Sequence, residues 1–77
     1  MTITVYTTSS CVQCTATKKK LNQLGIRYTE IPVTNQIAEE LRTNGFTGLP
    51  VVATDTSSWQ GFRPDKIREI ATHVVAQ

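Results

Sequence analysis

Apolar and polar positions alternate from the start of the chain. Ile3 and Val5 are spaced by threonine, and Thr4, Tyr6 and Thr7 favour extended backbone, so a short strand is predicted to end near Thr7. From about Val12 to Leu24 the residues are good helix formers, the segment becomes lysine-rich, and Gly25 follows as a fitting residue just past a helix end. Alternation returns in Ile26-Arg27-Tyr28-Thr29-Glu30-Ile31, which predicts a second strand. Thr34 or Asn35 can cap a second helix with Ile37, Ala38 and Leu41 on one face and Gly45 near its end. Val51-Val52-Ala53 reads as a third strand after Pro50, and Asp55 to Ser58 supplies turn chemistry before a short strand around Trp59. Pro64 suits the first position of a last helix and Asp65 the positive end of its dipole. Ile67, Ile70, Ala71 and Val74 then recur at helical spacing. The predicted order is β-α-β-α-β-β-α, without linkers or repeats.

Length narrows the picture to one domain, residues 1–77, close to the size at which a single core is just sufficient without staples or metal. The formal charge of +2, with no basic stripe interleaved with aromatics, argues against nucleic acid. No apolar run approaches membrane-spanning length, and the chain opens on a strand-like run rather than a signal sequence. A small cytoplasmic protein, monomeric and unattached to membranes, is expected.

The chemistry is concentrated in Cys11-Val12-Gln13-Cys14, directly after the first strand. If a helix begins near Cys11, its unpaired N–H groups and dipole favour a thiolate there, while Cys14 lies one turn inside on the same face. That asymmetry makes Cys11 the expected nucleophile and Cys14 the expected resolving thiol. A structural staple closing so short a loop would contribute only about 2 kcal/mol. Zinc needs about four ligands. No second cysteine pair or histidine pair accompanies this one, so no metal is expected. Thr15 follows Cys14 where covalent haem attachment would require histidine. In a reducing compartment such a pair is expected to be catalytic.

Three segments in order carry a family likeness over essentially the whole chain: Thr4-Val5-Tyr6-Thr7 leading into the cysteine pair, Leu49-Pro50-Val51-Val52, and Trp59-Gln60-Gly61-Phe62-Arg63-Pro64-Asp65. The sequence resembles the NrdH-type redoxins, glutaredoxin-like proteins of the thioredoxin fold. That resemblance implies an α/β fold in which a four-stranded mixed sheet is flanked by three helices. It also implies a dithiol electron carrier that serves as hydrogen donor to the large subunit of class Ib ribonucleotide reductase and is recharged by thioredoxin reductase. No cofactor would be bound beyond the redox-active Cys11–Cys14 disulfide; NADPH and FAD would act indirectly, through the reductase. By the same likeness Pro50 is cis beside the dithiol and Leu49 offers main-chain groups to an extended substrate. Val12, Gln13, Trp59, Gly61, Phe62 and Arg63 are the expected partner-contacting residues, although Trp59 and Phe62 fit core or turn packing as well.

Two departures from the family pattern stand out. Gly48 occupies a place where relatives often carry a side chain, which could loosen the loop, and Thr8-Ser9-Ser10 replaces a stretch that often holds lysine. Lys18, Lys19 and Lys20 read as a solvated helix face, or as a docking face for an acidic partner, and His73 as a surface residue. Two other functions remain open. A glutathione-dependent glutaredoxin is disfavoured by the bulk of Phe62 and Arg63 where the tripeptide would lie, and by Pro64, which lacks an N–H donor. A noncatalytic or metal-binding adaptor is disfavoured by the two intact thiols.

Overall fold

The computed structural model describes residues 2–75, with side chains to residue 73. Among these residues the elements run β1 (Thr4–Thr7), α1 (Val12–Gln23), β2 (Thr29–Pro32), α2 (Asn35–Thr43), β3 (Val51–Ala53), β4 (Ser58–Gln60) and α3 (Pro64–Val75). The strands form one sheet in the order β2-β1-β3-β4. β1 pairs parallel with β2, while β3 is antiparallel to both β1 and β4. Parallel neighbours cannot be joined by a hairpin, and α1 supplies the crossover between β1 and β2. This mixed sheet with three helices is the thioredoxin-like arrangement that the family resemblance implies.

Alternation along β1 explains where the core sits. Ile3, Val5 and Thr7 point to one side and are buried, and Val52 of β3 faces Val5 directly. Leu21 from α1, Ile26, Trp59 from β4, and Ile67 and Ile70 from α3 complete the same apolar cluster. Val51 and Val52 are adjacent yet both buried, so β3 is covered on both faces. Val74, expected on the inner stripe of α3, lies outside the residues whose side chains are described.

Helix ends follow the glycines. Gly25 has φ 69° and Gly45 φ 91°. In each case the glycine N–H and the next residue's N–H fold back onto the last turn: Gly25 to Asn22 and Ile26 to Leu21, then Gly45 to Arg42 and Phe46 to Leu41. Thr34 is the cap of α2, accepting the Ile37 N–H at 3.3 Å.

The helix end also corrects the expected second strand. Ile26 spends its N–H on the Leu21 carbonyl, so the chain is still turning at the point where alternation predicted a strand. Pairing begins when the Thr29 N–H reaches the Ile3 carbonyl, and the strand runs on through Pro32. Proline is tolerated because β2 is an edge strand. The predicted turn at Asp55 is organised one residue earlier. Thr54 Oγ1 accepts the N–H groups of Thr56 and Ser57, while Asp55 reaches the Thr2 N–H. Ile37, Ala38 and Leu41 do share a face of α2, but that face is only half-buried.

Candidate active site

Cys11 takes the place normally held by a serine or aspartate at a helix start. Its backbone is extended at φ −112° and ψ 108°, its carbonyl accepts the Thr15 N–H, and its Sγ accepts the Cys14 N–H at 3.0 Å. The sulfur therefore lies against the positive end of α1, where negative charge on it is stabilised. Cys14 follows on the inner stripe with Thr17 and Leu21, and all three are buried. Thr17 resolves its buried hydroxyl by donating to the Gln13 carbonyl at 2.8 Å. The two cysteines are joined in a disulfide with their Cα atoms 5.1 Å apart. Cys14 is 1% exposed and Cys11 is half-buried, so an approaching molecule meets Cys11.

Around the disulfide the fold gathers residues far apart in sequence. The Leu49–Pro50 peptide is cis, and Pro50 is fully buried. The Pro50 carbonyl accepts the Gly61 N–H at 2.8 Å. From the other side, the carboxamide oxygen of Gln13 accepts the Phe62 N–H at 3.3 Å. Gly61 is required between these contacts for two reasons. Its φ is 83°, and a Cβ there would lie 3.3 Å from Gln13 Oε1. Gln13, Pro50, Gly61 and Phe62 thus form one hydrogen-bonded rim beside the cysteine pair.

Apolar surface clusters on this rim. Among the described residues the large hydrophobic side chains that stay exposed are Val12, at 84%, and Phe62, at 37%. Next to Leu49 runs a groove of about 310 Å³ lined by Val33, Ala38, Leu41 and Phe46, which uses the half-buried face of α2. Trp59 does not join this surface: it is 6% exposed and belongs to the core cluster, because inward alternation on β4 points its ring under the sheet. Arg63 is turned toward Asp65, with Nε to Oδ1 at 3.2 Å and Nη2 to Oδ2 at 3.1 Å. The hydrogen bond from Arg63 holds the Asp65 carboxyl below the usual carboxylate range and raises the guanidinium in turn.

Two groups escaped the sequence reading. Gln60 alternates outward from Trp59 and grips Thr47, through Oε1 to the Thr47 N–H at 2.7 Å and Nε2 to Thr47 Oγ1 at 2.9 Å. Strand alternation was the signal that could have pointed Gln60 outward; nothing local marks Thr47 as its partner. Glu30 on β2 accepts from the Thr7 hydroxyl at 2.7 Å and from Lys18 at 3.0 Å. The Thr7 hydrogen bond, then Lys18, lowers its carboxyl pKa. Lys18 is consequently not a free member of the lysine face. His73 is exposed in the last helix, lining a cleft with Thr54, Trp59 and Lys66. Among the described residues, no group of three or more histidine, cysteine or acidic side chains could hold a metal ion, and no helix is long and apolar enough to cross a membrane.

Comparison with known proteins gives a consistent result. Residues 3–59 match the family profile described as Glutaredoxin. The chain is 46% identical over 72 residues to the glutaredoxin-like protein NrdH of Escherichia coli strain K12, covering 91% of this chain and 89% of that protein. It is 34% identical over 71 residues to NrdH of Lactococcus lactis subsp. cremoris, covering 90% and 99% respectively. Its fold superposes on the solved structure of the E. coli NrdH-redoxin, a glutaredoxin-like protein with a thioredoxin-like activity profile, with a TM-score of 0.87 over 91% of this chain and 95% of that one.

Proposed function

The chain belongs to the glutaredoxin family, in its NrdH-type branch, and is a thiol–disulfide redox protein; on that premise we propose that it carries electrons to protein disulfides, with class Ib ribonucleotide reductase as acceptor and thioredoxin reductase as donor. In this role the chain works as a cytoplasmic monomer of one domain. The observation that carries the reading is the composition of the rim. Val12 and Phe62 present apolar surface beside Cys11, and the Phe62 N–H is already taken by Gln13, so the rim suits a peptide better than a small charged thiol.

In the reduced protein the Cys11 thiolate attacks one sulfur of the partner disulfide. A Cys11–partner disulfide forms, and the partner's other sulfur leaves as thiolate. Cys14, having lost its proton, attacks Cys11 Sγ and displaces the second partner sulfur. The Cys11–Cys14 disulfide is left, and two electrons have passed to the partner. No bound cofactor is needed for any of these steps.

Acidity alone would add little to the rate of attack. Lowering a thiol pKa from about 8.5 to about 7 raises the thiolate fraction near neutrality by roughly fifteenfold, and the accompanying loss of nucleophilicity returns about a factor of five. A net gain of about threefold leaves substrate orientation to supply the rest. Leu49, placed before cis-Pro50 and beside the apolar groove, offers its main chain for an extended segment of the partner.

The direct test is reductase turnover. With NADPH, thioredoxin reductase and catalytic amounts of this protein, a class Ib ribonucleotide reductase should form deoxyribonucleotide continuously. Turnover that stops once the enzyme's own dithiol is spent removes the acceptor from the proposal.

A further inference from the structure

Between the end of α2 and Pro50 the chain runs through Thr47, Gly48 and Leu49 with no helix or strand to hold it. Gly48 has no side chain, and a Cβ added there would come no closer than 3.9 Å to another group, so no side-chain packing holds the chain at this residue. Its two ends are instead tied to two adjacent residues. Thr47 is gripped at both its N–H and its hydroxyl by the Gln60 carboxamide, and the Pro50 carbonyl accepts the Gly61 N–H. Gln60 is itself fixed in β4 opposite Val51, so the anchor moves with the sheet. Gly48 and Leu49 are the residues suspended between these anchors.

We propose that Gln60 is a positioning residue for protein disulfide substrates: by clasping Thr47 it holds the main chain of Leu49 ordered before a partner segment arrives. This rests on the peptide-binding role given to Leu49 above. An unordered acceptor edge must lose its freedom on binding, which weakens association with an extended peptide. A small disulfide that needs only access to Cys11 is indifferent to that edge. Gln60 therefore sets the preference for protein over small substrates without touching the reacting sulfurs.

The side-chain chemistry provides a rescue. A glutamate at the same place accepts the Thr47 N–H with one carboxylate oxygen and a hydrogen bond donated by the Thr47 hydroxyl with the other, so Gln60→Glu keeps the clasp. Gln60→Leu preserves bulk and loses both bonds. Thr47→Val removes the hydroxyl half alone, and carries the same comparison if Gln60→Leu fails to fold.

The experiment measures second-order rate constants of the fully reduced proteins toward insulin and toward bis(2-hydroxyethyl) disulfide. Gln60→Leu should lose about three- to tenfold on insulin and less than about twofold on the small disulfide, with Thr47→Val intermediate and Gln60→Glu close to wild type. Equal losses on both substrates, or none on either, overturn the positioning role and leave the carrier function intact. Wild-type protein that reduces the small disulfide but not insulin overturns the carrier reading, and the positioning role with it.

Discussion

The carboxamide oxygen of Gln13 accepts the Phe62 N–H at 3.3 Å across 49 residues of sequence, and this bond ties the cysteine-bearing helix to the loop before α3. A hydrogen bond of this kind contributes about 0.5–1.5 kcal/mol, and its length places it toward the lower end. Replacing Gln13 by leucine should speed amide exchange at Phe62 by roughly two- to tenfold and leave β3 amides unchanged. Amide exchange followed by NMR checks this, and an unaltered Phe62 would mean that the loop is held by other contacts.

Two glycines near the site should differ in their tolerance of alanine. Gly61→Ala forces an L-residue to φ 83° and brings its methyl within 3.3 Å of Gln13 Oε1, so a loss of about 1–2 kcal/mol is expected. At Gly48 φ is ordinary and the nearest group is 3.9 Å away, so Gly48→Ala should stay within about 0.5 kcal/mol of wild type. Urea denaturation of the two variants side by side measures both.

The ion pair of Glu30 makes a pH-dependent contribution of definite sign. Thr7 and Lys18 favour its carboxylate, so the pKa is lower in the folded protein than in the unfolded chain. The stabilisation is complete above the ordinary glutamate value of about 4.3 and is lost as pH falls through the lowered one. With the carboxylate partly in solvent, its worth is about 0.2–1 kcal/mol. Wild type should exceed Glu30→Gln by that margin at pH 7 and match it near pH 2, as read from urea unfolding at the two pH values. A constant difference would assign the effect to shape rather than charge.

Much of this was legible because local signals and tertiary needs agreed. Val51-Val52-Ala53 and the cap at Thr34 fall where their residues demand, and the cysteine pair announces both its helix and its chemistry. The second strand was misplaced because Ile26 is apolar for two reasons at once. It continues an alternating pattern, but it also closes the end of α1 and packs in the core with Leu21. Trp59 was ambiguous because an aromatic beside a glycine loop suits either a contact surface or a core, and only the pleat of β4 decides. The clasp of Gln60 on Thr47 and the junction at Glu30 join residues 13 and 23 positions apart or cross three elements, where no pattern in the chain connects them.

The division of labour between the cysteines predicts distinct phenotypes. Cys14→Ser should accumulate mixed disulfides through Cys11, which non-reducing electrophoresis and mass spectrometry resolve. Cys11→Ser should abolish insulin reduction. Adduct formation by the Cys11 variant, with none by the Cys14 variant, would reverse the assignment.

The source of electrons separates a thioredoxin-like carrier from a glutathione-dependent one. NADPH oxidation should be followed with insulin as acceptor and equal concentrations of this protein, once with thioredoxin reductase and once with glutathione plus glutathione reductase. A rim in which Phe62 is exposed, its N–H is engaged by Gln13, and Pro64 contributes no donor predicts sustained turnover with thioredoxin reductase and little with glutathione. Comparable or faster turnover through glutathione would contradict it.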